Sequence, residues 1–207
     1  MSIAARIRSV GHRRFTAALR LASAARCKRR GVPSARTATG KRMLVLGIDP
    51  GSVKTGISWV NSAGQCKFKT LYAENHIPWR YGAFRNELAD FIVELEEDPI
   101  AVAIEQPEEV PRTPEEEKDF RAIVRVNCIV AVIISEITRL WPNIKILPWS
   151  PRVWRKQNET KADVAYRMSV KYGVDFETDD DSDSLGIADH AMMRLLNSNQ
   201  STGSMNV

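Results

Sequence analysis

The run from Met43 to Val60, Met-Leu-Val-Leu-Gly-Ile-Asp-Pro-Gly-Ser-Val-Lys-Thr-Gly-Ile-Ser-Trp-Val, constrains the fold more than any other part of the chain. An apolar run, Met43–Ile48, ends on a single carboxylate, Asp49. A Pro-Gly turn follows, then Gly56 and a second apolar run. The pattern predicts a buried strand, a tight turn and an antiparallel partner strand. It sets an acid at the rim of a hydrophobic core, where a cation, a proton or a hydrogen-bond donor must offset its desolvation.

Charge divides the chain at the same place. Of 30 Lys and Arg residues, 12 precede Asp49, and none of the 25 Asp and Glu residues do. The net charge of +5 therefore combines a basic extension with a remainder of 18 basic and 25 acidic residues, net −7. Residues 1–42 are rich in Arg, Ala and Ser. Three readings stand side by side: an organelle transit peptide, a DNA-contacting arm ordered only on binding, or upstream sequence from a misassigned start, since Met43 immediately precedes the first strand. None makes these residues part of the fold. The expected folded domain is 43–196, with 197–207 a polar tail. Cys27, Cys66 and Cys128 are scattered without a Cys-x-x-Cys pair, which argues against a disulfide framework or a zinc site. No apolar run is long enough to span a bilayer, so no membrane partner is expected.

From Met43 onward the pattern is α/β. Met43–Ile48, Gly56–Val60 and Cys66–Tyr72 predict an antiparallel meander. Tyr81, Phe84, Leu88, Phe91, Ile92 and Leu95 recur at helical spacing and predict a helix over 81–97, ended by Pro99. Ile100–Ile104 reads as a central buried strand with Glu105 at its end. The Pro- and Glu-rich stretch from Pro107 to Glu117 reads as a loop, Phe120–Leu140 as a long helix, and Ile144–Leu147 as a strand. Pro148 and Pro151 break the chain; Thr160 caps a helix over 161–172. Val174–Asp181 reads as an acidic loop and Ser182–Leu196 as the last helix.

Three groups of acids thus fall where elements end near one region of a sheet: Asp49, Glu105, and the pair Asp180 and Asp183, whose spacing aims both from one helical face. Each has a plainer account, as a turn residue, a solvated strand end, or an N-cap cluster. Together they are more specific. Carboxylates gathered this closely repel unless cations lie between them, and hard oxygen donors suit Mg²⁺ or Mn²⁺. Two such ions roughly 3.5–4 Å apart activate water and stabilise the leaving oxygen of a phosphodiester.

This order resembles the RNase H-like superfamily and, within it, the RuvC-type Holliday-junction resolvases, especially phage-like members. The resemblance covers about Met43–Leu196. It rests on Gly-Ile-Asp-Pro-Gly-Ser-x-x-Thr-Gly at Gly47–Gly56, Ile-Glu-Gln at Ile104–Gln106, and Asp-x-x-Asp-x-Leu-x-Ile-Ala at Asp180–Ala188. It implies a mixed five-stranded sheet, an antiparallel meander followed by parallel strands, flanked by helices. It implies a homodimeric crossover junction endonuclease that hydrolyses paired phosphodiesters of four-way DNA with Mg²⁺, leaving ligatable 5′-phosphate ends. Asp49, Glu105, Asp180 and Asp183 would be its metal-binding acids, with Asp179 open as a one-residue slip for Asp180. Lys161 matches the family's active-site lysine; Arg155 or Lys156 matches an earlier basic position, and with Arg152 these would contact DNA. Trp149 and Trp154 are read as core packing ahead of base stacking, and His190 as structural. The implied location is the cytoplasm of a bacterial or phage-infected cell, or a mitochondrion or plastid if residues 1–42 are a transit peptide.

Two departures concern substrate handling. Pro107 and Glu108 stand where related resolvases often carry an aromatic wedge, and Glu108, Glu109 and Glu115–Glu117 occupy a loop that is often basic. Acids there repel a DNA backbone. The long helix Phe120–Leu140 carries more apolar surface than one sheet face needs, which suits a two-fold dimer. Rival readings are an actin-like or sugar-kinase-like ATPase, a non-catalytic DNA-binding module, and a RuvC-like homologue acting on other branched DNA or on ribosomal RNA precursors. The first lacks length for two lobes and a second Gly-rich phosphate loop; the four intact acids oppose the second; the Asp-Pro-Gly-Ser hairpin favours a DNA resolvase over the third. If the basic arm compensates for the acidic domain, a chain beginning at Met43 binds four-way junctions more weakly and with a shallower salt dependence than the full chain. Equal affinity and equal salt slope in a titration series exclude that role.

Overall fold

A computed structural model describes residues 42–72, 79–95, 97–106 and 114–203, the side chains of 79, 80, 114–122 and 199–203 excepted. Residues 1–41 of the basic extension and the wedge position expected at Pro107 and Glu108 lie outside the described residues.

The meander forms as its alternation predicts: β1 (Leu44–Pro50), β2 (Lys54–Asn61) and β3 (Cys66–Tyr72) pair antiparallel. Helix α1 (Trp79–Val93) leads to β4 (Ala101–Glu105), which lies parallel to β1. Helix α2 (Pro114–Leu140) crosses to β5 (Lys145–Trp149), parallel to β4. The five-stranded sheet has the order β3-β2-β1-β4-β5. Helices α3 (Pro151–Trp154), α4 (Lys161–Tyr172) and α5 (Asp179–Gly203) complete the chain. Among the described residues, no helix is long and apolar enough to cross a membrane.

Strand parity sorts the core into two layers. On one face Leu44, Leu46 and Ile48 of β1 join Val102 and Ile104 of β4 against Phe84 and Leu88 of α1 and Ile129, Ile133 and Ile137 of α2. On the other, Val45 and Ala103 meet Val164 and Met168 of α4 and Leu185, Ala188 and Ala191 of α5. Side chains alternate across a strand, so Gly47 and Asp49 of β1, and Glu105 of β4, share the α5 face.

That face is closed by contact between backbones. A Cβ on Gly47 would stand 2.3 Å from the Ser184 carbonyl oxygen, and one on Gly56 would stand 2.0 Å from the Asp180 carbonyl oxygen. Only residues without a Cβ let α5 lie this close to β1 and β2. The approach brings the first turn of α5 over the end of the hairpin.

Several boundaries differ from the sequence reading. Helix α2 begins at Pro114, so Glu115–Glu117 are helical rather than loop; Pro at the first position has no N–H to leave unpaired. Helix α5 begins at Asp179 inside the expected acidic loop, because carboxylates in a first turn favour the helix dipole. It continues to Gly203, past Leu196. Helix α1 stops at Val93, before 97. Of the two prolines expected as breaks, Pro148 lies within β5 and Pro151 opens the short α3. Helix α4 starts as expected, with Thr160 and Asp163 forming a reciprocal capping box. Cys66 and Cys128 are free thiols.

Substituting Gly56→Ala drives a methyl group into the Asp180 carbonyl. The expected cost is about 3 kcal/mol or more, read as a fall in Tm of roughly 6–12 °C. An alanine variant melting within a degree of wild type contradicts the backbone contact.

Candidate active site

Asp49 and Glu105 become neighbours through register. Ile48 of β1 pairs with Ile104 of β4 in parallel, so the next residue on each strand is an acid, and both acids lie on the α5 face. The first two turns of α5 add Asp180 and Asp183. Asp183 is fully buried and Asp180 half-buried, while Asp179 is exposed.

Burial and neighbouring charge perturb three of these acids, Asp49, Glu105 and Asp183. Burial pushes the Asp49 carboxyl up to about 8, helped by the negative charges of Glu105, Asp183 and Asp180 and opposed by Lys161. Burial also raises Glu105, against a hydrogen bond from Trp154 and the charge of Arg155. Asp183 is raised by burial, against Arg155 and Lys161.

The basic residues of the α3–α4 segment divide by distance from these acids. The Arg155 guanidinium donates to Asp183 Oδ2 at 2.7 Å, and Lys161 Nζ approaches the same oxygen at 3.4 Å. Burial acts to lower the Lys161 ammonium, but the charges of Asp183 and Asp49 outweigh it and raise the group above the usual lysine range. Asp183 Oδ1 is buried with no hydrogen-bond partner. Lys156 is exposed and its backbone N–H donates to Glu159, so Arg155 is the residue beside the acids. Arg152 is exposed on α3.

The acidic run is less uniform than its sequence. Asp181, between the two site acids, turns to the edge of the sheet: Thr70 Oγ1 donates to its carboxylate at 2.8 Å, and its own N–H donates to Thr178 Oγ1 at 3.2 Å. This anchors α5 to β3. Sequence alone offered no sign of that split, because it depends on which strand residue faces each turn of the helix.

Trp149 and Trp154 are both buried, as core packing predicts. Trp154 also does something the sequence reading missed: its indole N–H donates to Glu105 Oε2 at 2.9 Å. A buried Trp needs a partner for that N–H, and a nearby strand-end acid was the available signal. His190 meets Trp149 edge-on, with ring centroids 5.2 Å apart, in keeping with a structural role.

No protein-family model and no curated protein sequence matches the chain. Solved structures do. The chain is similar to RuvC of Thermus thermophilus in complex with a Holliday junction substrate, at 17% identity and a TM-score of 0.58, covering 74% of this chain and 95% of that one. It is similar to a second structure of Thermus thermophilus RuvC at 16% identity and a TM-score of 0.57, covering 75% and 97%. The fold read from the sequence, the RNase H-like fold of RuvC, is therefore the fold of this chain.

The Asp49 shift sets a pH dependence. Between the ordinary carboxylate value of 3.8 and about 8, folded Asp49 retains a proton that the unfolded chain has lost. Its contribution to stability is thus complete below the lower value and is lost as pH rises through the upper one. In EDTA, Asp49→Asn is expected to melt several degrees above wild type at about pH 8 and to lose that advantage towards about pH 4. Parallel Tm curves for the two proteins exclude the shift.

Proposed function

We propose that this chain is a metal-dependent endonuclease that resolves four-way DNA junctions by paired phosphodiester hydrolysis. One observation carries the reading: Asp49, Glu105, Asp180 and Asp183 converge on one sheet face with Arg155 and Lys161 beside them. Neighbours that share the fold include a RuvC bound to a Holliday junction substrate.

The donor chemistry fits a hard divalent cation such as Mg²⁺, with Mn²⁺ as a substitute. Every acid in the group offers oxygen, and the buried Asp183 Oδ1 lacks a partner. As the side chains stand, no three His, Cys, Asp or Glu groups among the described residues form a metal cage. Asp183 faces Arg155 and Lys161 instead, so loading requires its carboxylate to be shared or released. The cations, held by Asp49, Glu105, Asp180 and Asp183, would supply charge stabilisation and an activated water.

The chain's own residues do the rest. Arg155 and Lys161 answer the negative charge of Asp183 before DNA binds. A scissile phosphate entering beside them would replace Asp183 as their anionic partner, leaving that carboxylate to the metal ions, and they would then stabilise charge developing on the phosphate oxygens. Arg152 and Lys156, exposed on the same segment, extend the contact along the strand.

Two copies suit two cuts. On α2, Val124 is exposed and Ile123 and Val132 are half-buried, so part of its apolar surface is left over after Ile129, Ile133 and Ile137 fill the core. A homodimer that covers this face would present two sites to a near-symmetric junction.

The test is cleavage of synthetic four-way junctions with Mg²⁺ or Mn²⁺. Asp49→Asn and Glu105→Gln should each reduce the rate by roughly 10²–10³-fold or more, while junction binding without metal persists. Undiminished activity in either variant refutes the assignment. Equal cleavage of linear duplex keeps a nuclease and removes the junction preference.

A further inference from the structure

We infer that Trp154 is a positioning residue for the carboxylate of Glu105, and through it for divalent-cation binding at the site. This rests on the proposed role of Glu105 as a metal ligand.

The indole N–H of Trp154 donates to Glu105 Oε2 at 2.9 Å. The bond joins the end of α3 to the end of β4, and α3 follows β5, the parallel neighbour of β4, after Ser150 alone. It is directional, because an indole has one donor and no acceptor. It occupies one carboxylate oxygen and leaves the lone pairs of the other for a further partner. A ligand carboxylate fixed by such a partner keeps its orientation, and loss of that partner usually weakens metal binding by about 10–100-fold.

The ring is itself held. Trp154 is 3% exposed. A Cβ on Gly186 of α5 would stand 2.8 Å from its six-membered ring, and Val164 of α4 lies in the same core layer. The indole is therefore wedged between α4 and α5 with little freedom to swing its N–H elsewhere. The Arg155 guanidinium lies 4.7 Å from the ring centroid. One side chain thus touches the supports of two site groups: the acid at the end of β4 by hydrogen bond, and the cation paired with Asp183 by stacking. Packing alone would be met by any large apolar side chain. The aim of the N–H at a half-buried acid is the feature packing does not require.

Trp154→Phe retains an aromatic ring and deletes the donor. Mn²⁺ affinity, measured by calorimetric titration of the metal-free protein, is expected to fall about 10-fold or more. The Mn²⁺ concentration for half-maximal junction cleavage should rise in parallel, while metal-free junction affinity stays at the wild-type value. In a Glu105→Gln background the same substitution should cause no further loss of Mn²⁺ affinity; an equal loss in both backgrounds marks a structural role and overturns the inference. So does unchanged Mn²⁺ affinity in the single variant. If Trp154→Phe does not fold, Trp154→Met, which fills irregular space without a donor, enters the same comparison. A wild-type protein that cuts junctions and binds Mn²⁺ while Trp154→Phe does both equally well defeats this inference alone. A wild type that binds no Mn²⁺ defeats the metal-site reading and this inference with it.

Discussion

The structure turns on how closely α5 lies against β1 and β2. Gly47 and Gly56 offer the Ser184 and Asp180 carbonyls a surface with no side chain. A helix usually stands off a sheet by the depth of the side chains between them; here the two backbones nearly touch. Because the helix enters at the hairpin, Asp180 and Asp183 arrive beside Asp49 instead of over solvent. The two glycines thus act on electrostatics as well as packing. They convert two separated acidic segments into one cluster in which burial and the charges of Glu105, Asp183 and Asp180 raise the proton affinity of Asp49.

Opposite demands meet at that cluster. The core favours apolar contact up to the ends of β1 and β4, and the acids at those ends resist burial. Each acid is answered differently. Glu105 receives an indole N–H, Asp183 receives two cations on one oxygen, and Asp49 retains a proton to about 8. A protein shaped only for stability would replace such acids with neutral residues. Their presence beneath a helix that needs two glycines to reach them suits the proposed function, in which metal ions and DNA phosphate exchange as counter-charges.

Much of this was legible beforehand. Alternation in Cys66–Tyr72, the wholly apolar strand before Glu105, and the Thr160 cap all express local physics, and their elements formed where expected. The convergence of Asp49 with Glu105 was legible because each ends a buried strand. What was not legible depended on partners distant in sequence. Asp179, Asp180, Asp181 and Asp183 are chemically alike in a string of letters; only the passage of Thr70 beneath one turn separates an anchor from site acids. Arg155 and Lys156 were equally plausible until the end of α3 fixed which faces inward. Trp154 passed for core packing because burial predicts a partner for its N–H without naming it. The early starts of α2 and α5 escaped because Pro and Asp, read as loop formers, also make favourable first turns.

The link between Asp181 and Thr70 ties the fate of the site to an edge strand. β3 has a neighbour on one side only, and edge strands are where a sheet first frays. Thr70 takes its place on that strand, yet its hydroxyl holds Asp181 of α5, which lies between Asp180 and Asp183. Loss of β3 pairing and loosening of the carboxylate cluster are then a single opening event. Amide exchange along β3 therefore reads the anchorage of the α5 acids that gather beside Asp49, two strands away.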